Sequence, residues 1–191
     1  MNENLTEEEP LFPEAEIKFA TFWSRFGAFF LDGIIILVIT LPITILNVMT
    51  WKIPYLFVLT SLIAIAYKPF MEYRFGATVG KMAARLRVVG HSFGKVTLKE
   101  ELSRVSFYLI PQILQQTLTF TVYLSNSFFS INDYTAFNNR VVYANPSLRW
   151  LNGIVIILLI ADTICFFSNY QRRALHDVYA GTYVIEVDNP I

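Results

Sequence analysis

The sequence predicts an all-α membrane protein, a bundle of four transmembrane helices with a small β-hairpin cap on the cytoplasmic side. Hydrophobic residues make up 54% of the 191 residues and charged residues only 16%, whereas an ordinary soluble domain has about 25% charged residues. The apolar residues are gathered into four segments of about 20 residues, a length that crosses a bilayer as a helix. Lys and Arg dominate one section between these segments, as is typical of a protein with several membrane spans.

The four predicted spans are residues 26–46, 54–71, 102–124 and 148–168. The third span is the least apolar of the four, because polar side chains follow one face of the helix. These side chains are Gln112, Gln115, Gln116 and Thr119. Such a segment either spans the membrane with its polar face turned inward or lies in the interface as an amphipathic helix. We favour spanning because both chain termini then lie on the same side of the membrane.

The segments outside the spans differ in composition. Residues 1–18 form an acidic tail that we expect to be disordered, and they lack the basic and apolar regions of a secretory signal. Alternating residues on either side of a glycine-containing loop predict a β-hairpin of residues 86–89 and 96–98. Residues 182–187 also alternate, and we expect them to pair with this hairpin, since a lone hairpin is marginally stable in water. Residues 125–147 predict a loop rich in Asn, Ser and Tyr.

The distribution of Lys and Arg orients the bundle. The section between the second and third spans holds the largest group, which predicts that it is cytoplasmic. Its members are Lys68, Arg74, Lys81, Arg85, Arg87, Lys95, Lys99 and Arg104. With four spans, both termini are then cytoplasmic as well, and the chain is a multi-pass protein in contact with the lipid bilayer.

Two aspartates lie inside the predicted spans, where an ionised carboxylate costs several kcal/mol unless it is paired, hydrated or neutralised. Asp32 lies about two helical turns after Arg25 on nearly the same face, and Asp162 lies in the last span. In the predicted orientation both aspartates lie on the order of 10–15 Å from the cytoplasmic side. Arg25, Asp32 and Asp162 are therefore a candidate site for a monovalent cation or a proton. We expect Asp32 to face the interior within reach of Arg25 or another basic residue, and a purely structural contact is the alternative.

Other chemistries find no support in the sequence. The segment 76–81 resembles a phosphate-binding loop, but one residue is missing between its glycines and Met82 replaces the required Ser or Thr. Cys165 is the only cysteine and cannot form an intramolecular disulfide. His91 and His176 lack metal-ligand spacing. We expect His91 to be solvated at a loop tip and His176 to be a satisfied surface residue rather than a proton relay. We therefore expect no enzymatic activity, cofactor, metal or nucleic-acid partner.

Three motifs follow one another along the chain. They are Arg25-x-x-Ala28-x-x-x-Asp32, Gly76-Ala-Thr-Val-Gly80-Lys81-Met-Ala-Ala-Arg85-Leu-Arg87-Val-Val, and Arg173-Ala-Leu-His176-Asp177-x-x-Ala180-Gly181-Thr182. In this order they resemble the RDD family of small bacterial integral membrane proteins, over residues 19–187. The resemblance places the family's arginine and two aspartates at Arg25, Asp32 and Asp177. The other family-motif residues would be Gly80, Lys81, Arg87, His176 and Gly181. We expect Gly181 to end a short helix that follows the last span.

The resemblance implies a bacterial cell-membrane protein that contributes to transport, since some members look like sodium/proton antiporters. Two functions stay open. In the first, the protein carries a small cation or another solute, Asp32 and Asp162 bind the cation or proton, and Arg25 tunes their affinity. Four helices are few for alternating access, so a homo-oligomer is expected. In the second, the protein is a non-transporting scaffold whose basic cap binds a partner protein or anionic lipid. Asp177 would cap a cytoplasmic helix or bond to backbone.

Overall fold

The computed structural model describes residues 17–188, so the predicted acidic tail lies outside the described residues except for its last two. This part of the chain is mostly helical. In order, its α-helices and β-strands are α1 (Phe22–Leu46), α2 (Pro54–Phe75), α3 (Val79–Ala83), β1 (Leu86–Val89), α4 (Leu98–Tyr123), α5 (Tyr134–Ala144), α6 (Ser147–Ser168), α7 (Leu175–Ala180) and β2 (Tyr183–Glu186). A π-helical turn, Asn47–Trp51, continues α1.

Three helical stretches of the described chain are long and apolar enough to cross a membrane. They are Phe22–Trp51, Pro54–Phe75 and Ser147–Ser168, and they contain the first, second and fourth predicted spans. Helix α4 covers nearly all of the third predicted span, but its first two turns are charged. The charged residues there are Lys99, Glu100, Glu101 and Arg104. The structure therefore confirms three of the predicted segments as helices long and apolar enough to span, and a fourth span in α4 stays a prediction.

The cap is a sheet of two distant strands, and the predicted hairpin is wrong. Strand β1 pairs antiparallel with β2, with Leu86 opposite Glu186 and Val89 opposite Tyr183, which confirms the predicted pairing of the C-terminal strand. The expected second hairpin strand, residues 96–98, instead begins α4. Thr97 accepts a hydrogen bond from the backbone of Glu100, whose carboxylate accepts one from Thr97 N at 2.8 Å. This capping box satisfies amides that a strand would have left for a partner.

The chain before α1 lies along the other edge of β2. Ala20 N donates to the Val184 carbonyl at 3.0 Å, and Glu186 N donates to the Lys18 carbonyl at 2.8 Å. Strand β2 therefore lies between β1 and the segment that leads into α1, and it holds the start of α1 beside the sheet. Six buried residues form the hydrophobic core beneath the sheet: Ala20, Ala28, Leu86, Val88, Val96 and Val184. We call this end of the bundle the sheet end.

The opposite end of the bundle, which we call the far end, has its own apolar core. The predicted loop 125–147 is wrong in part, because it contains the 3₁₀ helix Asn126–Ser130 and helix α5. Phe137 and Val141 lie one helical turn apart and are buried, and Asp133 caps α5 by accepting a hydrogen bond from Ala136 N at 2.7 Å. The core consists of Val48, Val122, Tyr123, Phe128, Phe137, Val141 and Leu148.

Thiol labelling can test whether α4 spans the membrane. At about 1.5 Å per residue, α4 rises about 39 Å from the sheet end to the far end. Single cysteines replace Ser92, in the loop after β1, or Tyr143, near the end of α5, in a Cys165→Ala background; both positions are exposed. We expect a membrane-impermeant reagent to label Tyr143→Cys in intact cells and Ser92→Cys only after permeabilisation. Equal labelling of both from outside would make α4 an interfacial helix.

Candidate functional site

Charged side chains from six helices meet inside the sheet end. We call them the charged cluster, and its members are Arg25, Glu72, Lys81, Arg104, Asp162, His176 and Asp177. The side chains of Glu72 and Asp177 are fully buried, and that of Arg104 is 2% exposed. Buried charges of this kind require partners, because an unpaired ion in a protein interior is strongly destabilising.

Arg104 lies at the centre of the cluster. Its Nη1 atom contacts Glu72 Oε2, and its Nε donates to Asp177 Oδ1 at 2.9 Å. Lys81 Nζ donates to the other oxygen of Glu72 at 2.8 Å. Burial and the neighbouring Arg104 lower the pKa of Lys81 to about 8, although Glu72 opposes this change. Arg104 therefore joins α2 to α7, and Lys81 attaches α3 to the same carboxylate.

Arg25 pairs with Asp177, and the predicted contact between Arg25 and Asp32 is wrong. Its Nη1 atom lies 2.5 Å from Asp177 Oδ2, and its Nη2 donates to the Arg172 carbonyl at 2.8 Å. The guanidinium also lies over the Phe166 ring, 5.2 Å from its centroid. Asp32 lies two helical turns further along α1, a rise of about 10 Å, and its carboxylate binds α2 and α3 instead. The sheet instead brings α7 beside the start of α1.

Asp177 forms ion pairs with Arg25 and Arg104, in addition to the predicted role of a helix cap. Burial alone would raise the pKa of Asp177, but His176, Arg104 and Arg25 outweigh it and hold this pKa well below its ordinary range. Asp177 also accepts a hydrogen bond from Ala174 N at 3.4 Å, so the predicted capping role is present as a long contact. No pattern in the sequence indicated that Asp177 forms ion pairs with Arg25 and Arg104.

His176 is held between two carboxylates. Its Nδ1 lies 2.7 Å and its backbone N 3.1 Å from Asp162 Oδ1, and its Nε2 lies 3.3 Å from Asp177 Oδ1. The side chain is only 12% exposed, so the prediction that His176 lies at the surface is wrong, although its hydrogen-bonding groups are satisfied. Helix α4 covers the ring, with Tyr108 packed edge-on against it. Burial lowers the pKa of His176, although Asp177 and Asp162 oppose this shift.

Asp32 lies apart from Asp162 and has partners of its own. Its carboxylate accepts hydrogen bonds from Tyr67 Oη at 2.7 Å, Thr78 Oγ1 at 2.6 Å and Gly80 N at 2.8 Å. It therefore faces the neighbouring elements α2 and α3, but none of the basic residues in the described chain forms an ion pair with it. Asp32 fastens α3 against α1.

The glycines and Arg87 of the family motifs hold the backbone around the cluster. A Cβ atom on Gly80 would lie 2.9 Å from Asp32 Oδ1 and closer still to the Ala28 carbonyl. Gly181 ends α7 with a φ of 72°, a conformation that favours glycine, as the sequence predicted. A side chain on Gly76 would meet Arg87 Nε at 3.0 Å.

The cluster includes two members that sequence reasoning did not assign to the site, Glu72 and Arg104. The available signal was their position, since each is a charge at the end of an otherwise apolar segment. Among residues 17–188, no group of three or more His, Cys, Asp or Glu side chains is arranged to hold a metal ion.

Apolar helices of membrane-spanning length and a buried charged cluster at one end define an integral membrane protein. A model of the RDD family matches residues 19–181, and the chain belongs to this family. No curated protein and no solved structure matches the chain. The arginine and the two aspartates of the family motifs have different roles here. Arg25 and Asp177 form an ion pair, while Asp32 binds α3.

Two glycine substitutions test the tight contact between α1 and α3. Gly80→Ala should lower the free energy of unfolding by about 1–3 kcal/mol, because the added methyl group meets Asp32 and the α1 backbone. Gly153→Ala in α6 is the matched control, since no atom lies within 4 Å of the added carbon. Denaturation in mixed micelles measures both values. Equal effects of the two substitutions would contradict the close approach.

A second pair of substitutions tests the central guanidinium. Arg104→Met leaves Glu72 and Asp177 short of a partner and should cost about 3–5 kcal/mol. Lys99→Met, on an exposed position of the same helix, should change the free energy of unfolding by no more than about 0.5 kcal/mol. The same micelle denaturation applies. A loss below about 1 kcal/mol for Arg104→Met would show that the cluster is hydrated rather than buried.

Proposed function

We propose that this protein exchanges protons for a small cation or another solute across the membrane, and that His176, Asp162 and Asp177 take up the proton. The observation that carries the proposal is the imidazole held between two carboxylates, 2.7 Å from Asp162 and 3.3 Å from Asp177. A neutral imidazole has one N–H group and can donate to only one of them. A protonated imidazole donates to both, so the site gains a hydrogen bond when it takes up a proton.

The site would couple this proton to the packing of the helices. His176 Nε2 and Arg104 Nε both approach the same oxygen, Asp177 Oδ1. Because the pKa of His176 lies below its ordinary value, the ring takes up a proton as the pH falls. The charged ring then competes with Arg104 for this oxygen and weakens the contact between α4 and α7. A change in protonation thereby becomes a change in helix contact.

The polar stripe on α4 supplies a route for the solute. Gln116 Oε1 lies 3.3 Å from Ser61 Oγ of α2, and Gln115 Nε2 lies 3.3 Å from Asn152 Oδ1 of α6. This stripe therefore faces other helices, as the sequence predicts for a spanning segment. It begins about one turn beyond Tyr108, the residue that packs against His176. In the proposed orientation the charged cluster is on the cytoplasmic side, and a homo-oligomer completes the path.

A scaffold remains the second candidate, on the evidence of the surface of the cap. Exposed basic residues surround the sheet end: Lys18, Arg74, Arg85, Lys95, Lys99 and Arg172. Such a surface attracts anionic headgroups, with each basic residue contributing about 1 kcal/mol. This candidate requires no proton movement, so a flux measurement separates the two.

Proton flux in proteoliposomes tests the transport proposal. Wild-type protein should move protons when a sodium or potassium gradient is imposed, and His176→Gln and Asp162→Asn should abolish this flux, because neither replacement can cycle a proton. His91→Gln is the matched control, since His91 is an exposed histidine outside the charged cluster. Equal amounts of folded protein are compared. Retained flux in His176→Gln would move the proton site elsewhere.

Asp32→Asn separates the proposed site from the original candidate. Asp32 is engaged by three donors, so we expect the amide to lower the abundance of folded protein while flux per folded molecule survives. Loss of flux at normal abundance would return the coupling role to Asp32. Absence of flux in the wild type under every cation gradient would favour the scaffold.

A further inference from the structure

Glu101, in the first turn of α4, is a buried carboxyl group with no hydrogen-bond partner. The residue is 1% exposed, and neither Oε1 nor Oε2 has a partner among residues 17–188. The carboxylates around it are different. Both oxygens of Glu72 and both of Asp177 receive donors, and Asp162 accepts from His176.

Several charged groups face Glu101, but none is paired with it. They are Glu72 and Lys68 of α2, Lys81 of α3, and Arg104 of its own helix. Lys81 and Arg104 already donate to Glu72, and the Lys68 ammonium lies 5.9 Å from the centre of the Tyr108 ring. In the described chain, no ion pair reaches Glu101.

We infer that Glu101 is a proton-binding site, separate from His176. An ionised carboxylate that is buried without donors is far costlier than a neutral carboxyl group, and the nearby negative charge of Glu72 adds to that cost. The proton is the ligand that fits, because a metal cation at the same place would meet the positive charges of Lys81 and Arg104. This assignment stands on the burial of Glu101 and does not depend on transport.

The position of Glu101 indicates what release of its proton would do. Glu101 lies one helical turn before Arg104, so the two side chains lie on the same face of α4. Loss of the proton would create a second anion that competes with Glu72 for the guanidinium. Where the proposed function holds, Glu101 is its second proton carrier.

Infrared spectroscopy of the full-length protein in lipid bilayers tests this site directly, because a protonated carboxyl group has a carbonyl band that a carboxylate lacks. Burial and the charge of Glu72 raise the pKa of Glu101 to about 7. We therefore expect the wild type to show this band at about pH 6, above the ordinary range of a glutamate, and to lose it as the pH rises through about 7. Glu101→Gln should remove the band. Glu100→Gln is the matched control and should keep it, since the neighbouring Glu100 carboxylate accepts hydrogen bonds from Thr97 and His91.

Each outcome decides the assignment. A wild type without a protonated-carboxyl band at about pH 6 overturns it, and so does a band that survives in Glu101→Gln. Appearance of the band only after sodium is removed would also overturn it, in favour of a metal cation. If Glu101→Gln does not accumulate, Glu101→Asp provides the same assignment through a shift of the band. Flux is measured separately, so an absent band with active transport refutes this site alone, and a present band without flux refutes the transport proposal alone.

Discussion

The guanidinium of Arg104 is the interaction on which the sheet end depends. It contacts Glu72 and Asp177, and Asp177 in turn holds Arg25, so one chain of ion pairs joins α1, α2, α4 and α7. Each of these charges would be strongly destabilising alone, and removal of any one leaves its partner buried and uncompensated. The short helices α3 and α7 and the two-stranded sheet bring charged side chains that are distant in the sequence to this one place.

The two ends of the bundle are stabilised by different physics. Lipid tails are as apolar as the helix surfaces, so there is no hydrophobic drive between the spans within the bilayer. At the far end, aromatic side chains such as Tyr123 and Phe128 pack into a buried core. At the sheet end, ion pairs and the hydrogen bonds of Asp32 to Tyr67, Thr78 and Gly80 hold the helices together.

The two proposed proton sites are each connected to Arg104. His176 shares the oxygen Asp177 Oδ1 with Arg104, and Glu101 lies one turn before Arg104 beside Glu72. Protonation of His176 and deprotonation of Glu101 would each weaken a different contact of Arg104. Transport needs two states whose helix contacts differ, and in our proposal Arg104 provides the contact that changes.

The sequence by itself determined the membrane class, three of the spans, the glycine end of α7 and the C-terminal strand. These features follow from local pattern, since a buried backbone in lipid must form helices and Gly181 alone tolerates its φ. Tertiary structure decided the charge partners. Arg25 and Asp177 lie at opposite ends of the chain and meet only because β2 lies between β1 and the chain that leads into α1. Tertiary structure also decided the burial of His176 and left Glu101 without a hydrogen-bond partner. Both features depend on neighbouring elements, which a local sequence pattern does not record.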